Sequence, residues 1–193
     1  MAAAGLQGID MTTSHDSRVV LDFWFAEIEP AQWWKADPAF DALVRERFGD
    51  LHRAAVRCEL HAWRANAEGR LAEIIVLDQF SRNIHRGTAA AFAADPMALA
   101  LAQEAVAGGH DKTLTQQQRL FLYLPYMHSE SRRIHEIAVE LYRELGLAEN
   151  FDFELRHKAI IDRFGRYPHR NAILDRTSTA EELRFLQEPG SSF

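Results

Sequence analysis

Helix-starting and helix-stopping signals recur along the whole chain, and no stretch alternates apolar and polar residues with the period of two that a half-buried strand requires. Asp37-Pro38 and Asp95-Pro96 each read as an N-cap followed by proline at the first helical position. Thr115-x-x-Gln118 and Ser178-x-x-Glu181 have the spacing of capping boxes, and Gly108-Gly109, Gly146 and Gly165 stand where helices stop. These marks predict an all-α protein with helices near 17–27, 38–57, 59–66, 69–85, 96–107, 115–127, 130–145, 151–164 and 179–187, and a short turn over 88–93. The connections are short, so helices adjacent in sequence are expected to pack as antiparallel hairpins.

Residues 1–15 carry no helix signal and read as a disordered extension. Residues 16–193 read as one all-helical domain, because no Gly-, Pro- or Ser-rich linker divides them. At 47% hydrophobic and 26% charged, the chain has the makeup of a globular protein rather than a disordered one. A formal net charge of −6 provides no basic field, so nucleic acid is not an expected partner. The N-terminal stretch lacks the basic and apolar regions of a signal peptide, and no apolar run approaches the ~20 residues of a membrane span, so a cytoplasmic location away from membranes is expected. Cys58 is the single cysteine, which excludes an intramolecular disulfide. Its setting in Ala54-Ala55-Val56-Arg57-Cys58 reads as a small apolar residue on a helix. The early aromatic residues Phe23, Trp24, Phe25, Trp33, Trp34 and Phe40 read as packing residues.

Three segments place charge inside apolar sequence. The first ends a helix that is apolar nearly all round, Leu71-Ala72-Glu73-Ile74-Ile75-Val76-Leu77, and continues Asp78-Gln79-Phe80-Ser81-Arg82-Asn83-Ile84-His85-Arg86. Leu71, Ile75, Asp78 and Arg82 share one helical face, so Asp78 and Arg82 extend a buried stripe, and Gln79 and Asn83 form a second polar pair at the same spacing. The second segment is Leu124-Pro125-Tyr126-Met127-His128-Ser129-Glu130. There Pro125 should kink or end the helix, Ser129 is an N-cap candidate, and His128 beside Glu130 is a pairing suited to acid–base work. The third, Arg163-Phe164-Gly165-Arg166-Tyr167-Pro168-His169-Arg170-Asn171, follows a helix on which Phe153, His157, Ile160 and Phe164 share a face. Its guanidinium groups suit either an anion clamp or a salt-bridge hub. Buried charge must find partners, so the three segments are expected to converge.

These segments, with Val20-Leu21-Asp22-Phe23-Trp24-Phe25 and Trp33-Trp34, resemble the signatures of the bacterial family called domain of unknown function 924, over about residues 18 to 187. The resemblance implies a tetratricopeptide-like, right-handed stack of helix hairpins. It implies no established activity.

The residues themselves leave two readings open. One is a pocket for a small anionic ligand, with or without catalysis: Asp78, Arg82, Asn83, Arg86, Arg163, Arg166, Arg170 and Asn171 would bind, and His128, Glu130 and His169 would carry protons. The other is a helical-repeat adaptor holding a peptide or protein on a concave face, marked by exposed aromatic, Asn and Arg residues and no perturbed titratable pair. No metal site is expected, because no pair among His128, Glu130, His157 and His169 has the i, i+4 spacing of helical ligands. No cofactor is expected either: Gly108-Gly109 follows no strand, and the Gly-x-Ser-x-Gly elbow is missing.

Overall fold

The apolar helix read from Leu71 onward is the axis of the core. A computed structural model of the chain describes residues 16–192, so the expected disordered extension lies outside the described residues. Among the described residues all regular structure is helical. In chain order the helices are α1 (Arg18–Asp22, continued by a π turn over Phe23–Glu27), α2 (Pro38–Val56), α3 (Ala67–Ile75), a π turn over Val76–Phe80, α4 (Ser81–Ile84), α5 (Asp95–Ala107), α6 (Gln116–Met127), α7 (Arg132–Leu145), α8 (Ala148–Phe164) and α9 (Ala180–Phe185). Single 3-10 turns join them at Pro30–Trp34, His61–Ala65, Ala89–Ala91, His110–Thr113 and Pro168–Arg170. The helix expected over 59–66 is therefore only a 3-10 turn, and α8 begins at Ala148, earlier than expected.

From Leu71 onward helix α3 and the π turn after it are buried on all sides, with Leu71, Ile74, Ile75, Val76, Leu77 and Phe80 sealed from solvent. Glu73 is sealed with them, and Arg64 meets its two carboxylate oxygens at 2.7 Å each. Against α3 pack α1, α5 and α6, while α6 packs on α7 and α7 on α8. Of the early aromatic residues Phe23, Trp24 and Phe40 are buried and the Trp33 indole donates to the Trp24 carbonyl at 2.9 Å, but Trp34 is largely exposed.

Several local expectations shift by a residue or change role. The Asp37–Pro38 cap and the Thr115–Gln118 capping box form as read. The C-terminal capping box is Thr179–Glu182, not Ser178–Glu181; Ser178 accepts a hydrogen bond from Asn171 instead. Helix α6 runs past Pro125 to Met127, and the N-cap position of α7 is Ser131, not Ser129. On α8 the buried face is Glu154, His157, Ile160 and Ile161, while Phe153 lies outside it and is exposed. Cys58 is not a packed helix residue. It is exposed, at φ 60°, just beyond α2. Its N–H bonds the Ala55 carbonyl and the Glu59 N–H reaches the Ala54 carbonyl, which is the hydrogen-bond pair of a Schellman helix stop.

Left-handed backbone is unfavourable for a residue with a Cβ by roughly 1–2 kcal/mol. Cys58→Gly should therefore stabilise the protein by about 1 kcal/mol in urea denaturation, and a loss of stability would show that the thiol contributes packing.

Two buried histidines make stability depend on pH. Burial, with His85 alongside, pushes His52 down to about 4, and burial pushes His157 down to about 3. The unfolded chain takes up protons on these rings near pH 6.5 and the folded chain does not, so the unfolded state binds more protons below that value. Their contribution is thus complete above pH 6.5 and declines as pH falls toward the folded values. Urea denaturation should show a loss of roughly 2 kcal/mol per histidine between pH 6.5 and 5; an unchanged midpoint over that range would mean that these rings are not held neutral.

Candidate functional site

The π turn over Val76–Phe80 sets the geometry of the first polar segment. A π turn inserts one residue, rotating the downstream helix by about 100° relative to a straight one and disrupting the i→i−4 ladder. Side chains take up the disturbed carbonyls: the Ser81 hydroxyl donates to the Leu77 carbonyl and Arg82 Nη1 to the Asp78 carbonyl, both at 2.6 Å. Because Ser81 has given its proton to a carbonyl, it must accept at 2.8 Å from His52, which fixes the Nε2–H tautomer of that ring.

Asp78 is sealed at the centre of the site. Its Oδ1 meets His128 Nδ1 at 2.7 Å and Arg82 Nη1 at 3.2 Å, and its Oδ2 accepts from the Gln79 amide at 2.5 Å. Burial alone would raise the Asp78 carboxyl; the Arg82 charge and the contacts from His128 and Gln79 override it and hold the group well below the usual carboxylate range. His128 is pushed down from its ordinary value by burial and by Arg82, against the opposing pull of Asp78. At neutral pH the ring is therefore neutral, donates Nδ1–H to Asp78 and carries a lone pair on Nε2. Nε2 has no hydrogen-bond partner among the described residues and is not sealed.

The second and third segments close on this pair. The Tyr167 N–H donates to Glu130 Oε1 at 2.8 Å, and the Tyr167 hydroxyl donates to the Met127 carbonyl at 2.5 Å. Arg176 grips Glu130 at 2.6 and 2.9 Å, and Asn171 steadies Arg176 at 3.0 Å. Burial would raise Glu130; Arg176 and the Tyr167 N–H bring it below its ordinary value, so it is ionised. Asp95 receives both terminal nitrogens of Arg82, at 3.0 and 3.1 Å, and Arg170 more loosely at 3.4 Å. Asp95 is thus no N-cap: it opens α5 from inside the helix, with its carboxylate turned to the two arginines.

A cavity of about 420 Å³ opens where these groups meet. Its walls include Phe92, Pro96, Leu99, Pro125 and Leu174, and its polar lining is Asp95, His128, Ser129, Glu130 and Arg170. Arg170 lies between the Phe92 and Tyr167 rings, 4.7 and 4.6 Å from their centroids. It is 7% exposed, and its Nε is buried without a hydrogen-bond partner. Burial and the neighbouring Arg82 push its guanidinium down, and Asp95 compensates only in part.

Of the residues singled out in the sequence, the structure brings Asp78, Arg82, His128, Glu130 and Arg170 together, with Asn171 behind Glu130. His169 is half-buried beside Tyr167 rather than on the cavity wall, and burial and Arg170 push it down to about 4. The others face elsewhere. Asn83 and Arg86 both bind Asp41, Arg163 pairs with Glu181, and Arg166 pairs with Glu182. Gln79 and Asn83 do not pair with one another, since the π turn directs one to Asp78 and the other to Asp41. Two site residues escape a reading of the sequence: Asp95, which a helix-start motif disguises, and Arg176, which no motif marks. Among the described residues no group of three or more His, Cys, Asp or Glu is placed to hold a metal ion, and no described helix is long and apolar enough to cross a membrane.

An all-helical protein with a polar cavity at a helix junction is the class these features define. The chain belongs to the family described as bacterial protein of unknown function (DUF924), whose model matches residues 20–190. It is similar to a solved structure described as a protein of unknown function from Agrobacterium tumefaciens: 42% identical, covering 89% of this chain and 96% of that one, with a TM-score of 0.84. No curated protein matches the chain.

Arg82→Ala should destabilise the protein by roughly 3–5 kcal/mol in chemical denaturation, because it leaves Asp78 sealed without its guanidinium and releases Asp95. A loss below about 1 kcal/mol would mark these pairs as solvent-screened.

Proposed function

We propose that the cavity binds a small anionic ligand whose charge is taken by Arg170. The observation that carries this reading is the buried guanidinium itself. Asp95 is already engaged by Arg82, so Arg170 keeps a single long ion pair on the cavity wall. A buried cation so poorly matched is costly unless an anion completes it. Arg163 and Arg166, which the sequence offered for the same clamp, already hold Glu181 and Glu182, so the anion contact falls to Arg170. Asp95 and Glu130 on the same walls favour a ligand with one negative charge over a dianion, and the apolar walls fit a short hydrocarbon body. The helical-repeat adaptor is the weaker reading, since its mark was the absence of a perturbed titratable pair, and Asp78 with His128 is such a pair.

We propose also that the helices form a tetratricopeptide-like, right-handed stack of antiparallel hairpins. Its support is the packing of α5, α6, α7 and α8, each on the next in sequence.

Thermal shift tests the pocket. Acetate, 2-oxobutanoate, benzoate and inorganic phosphate form the panel. A monocarboxylate at a hundred times its Kd should add ~2.7 kcal/mol to unfolding and raise Tm by several degrees. Arg170→Gln should lose the shift, while Arg163→Gln should keep it. No shift with any member of the panel, or an equal shift in the Arg170 variant, would refute the reading.

A further inference from the structure

We infer that the cavity is catalytic, with His128 Nε2 taking a proton from the carbon beside the carbonyl of a small 2-oxo carboxylate held on Arg170. The inference rests on the anion-binding reading of the same cavity and adds a reaction to it.

The geometry carries three of the requirements of such a proton transfer. The base is built: Asp78, sealed and held ionised, accepts Nδ1–H from His128 at 2.7 Å, which fixes the ring and its tautomer and leaves the Nε2 lone pair without a partner among the described residues. A general base must be unprotonated at working pH, and a neutral ring meets that condition. The cation is also built, since Arg170 lines the cavity from between two aromatic rings and keeps a single long ion pair to Asp95. Third, part of the wall beside both groups is apolar (Phe92, Leu99, Leu174), which strengthens electrostatic interactions next to it.

The single cation selects the reaction class. Arg170 is the one positively charged side chain among the residues lining the cavity. Acyl transfer by hydrolysis of a bound anion would require one cation for the carboxylate and a second donor set for the separate oxyanion. In a 2-oxo acid the carboxylate and the adjacent carbonyl oxygen are neighbours, so one guanidinium serves the ground-state charge and the charge that develops next to it. In the forward step the C3–H bond breaks. The proton passes to Nε2, making an imidazolium that Asp78 stabilises, and the electron pair moves into the C2–C3 bond as the C2=O π pair moves onto oxygen beside Arg170. In the reverse step Nε2 returns a proton to the same face of the enolate. Nothing is oxidised or reduced and no co-reactant is consumed. Glu130 is bound by Arg176 and the Tyr167 N–H, so it keeps its charge and shapes the site without carrying the proton. A lone base working from one face predicts proton exchange or migration with retained configuration, not racemisation.

The experiment monitors 2-oxobutanoate and 3-methyl-2-oxobutanoate by proton NMR in D2O with the full-length protein. Wild type should speed loss of the C3–H signal at least ~100-fold over buffer. His128→Gln should lose that acceleration yet keep the carboxylate-induced thermal shift, because the carboxylate rests on Arg170; Arg170→Gln should lose both. If His128→Gln does not fold, carbethoxylation of wild-type His128, located by mass spectrometry, should abolish exchange, and 2-oxobutanoate should protect the ring. Binding without acceleration, or acceleration that survives modification of His128, overturns the inference and leaves the binding reading standing. An absence of binding overturns both.

Discussion

Asp78 is a carboxylate placed where a carboxylate is least welcome, at the inner end of the most deeply buried helix. An isolated charge there is costly by several kcal/mol after relaxation, so the surrounding chain must converge on it. His128 comes from the α6–α7 junction, Arg82 from the next turn and Gln79 from the adjacent residue. Arg82 then requires Asp95, and Asp95 draws Arg170 from the loop after α8. The positions of four separate parts of the chain thus result from satisfying one buried group. The π turn takes part in this convergence, because its disturbed carbonyls are met by Ser81 and by Arg82 itself.

The same chain of partners separates groups that are satisfied from those that are not. Asp78, Arg82 and Glu130 each have a full set of contacts, and they hold the site in shape. His128 Nε2 and Arg170 Nε lack a hydrogen-bond partner among the described residues. An orphaned buried guanidinium nitrogen is not peculiar to the site, since Arg70 Nε is one too, but of the two arginines on Asp95 Arg170 alone keeps a single long ion pair while Arg82 holds two carboxylates. That contrast, rather than the number of arginines, favours a ligand site.

A second buried cluster lies behind the first and shows a histidine engaged at both ring nitrogens. His135 Nδ1 meets Glu154 at 2.7 Å, and its Nε2 meets the Ser129 carbonyl at 2.8 Å, with the Tyr167 hydroxyl 3.2 Å away. Burial raises the Glu154 carboxyl despite His135. Both ring nitrogens are engaged, so this histidine braces the α7–α8 pair and the loop below the cavity, whereas His128 engages only one nitrogen.

Local signals in the sequence determined the all-helical class, most helix positions and the three polar segments that matter, because caps, prolines and helical periodicity act within a few residues. They also determined that Asp78 is buried and Arg82 half-buried beside it, since both continue an apolar stripe. Most of the failures share one physical cause: the partner lies outside the local stretch of chain. Asp95 carries a helix-start motif, yet its carboxylate answers Arg82 and Arg170; Arg166 and Arg163 suited either an anion clamp or a salt-bridge hub, and Glu182 and Glu181 fold back onto them as in the second. The Gln79–Asn83 pair failed because a π turn changes the geometry that i, i+4 spacing assumes. Which arginine keeps an unmet charge, and which histidine keeps an open nitrogen, depends on contacts between residues tens of positions apart, and only the tertiary structure decided them.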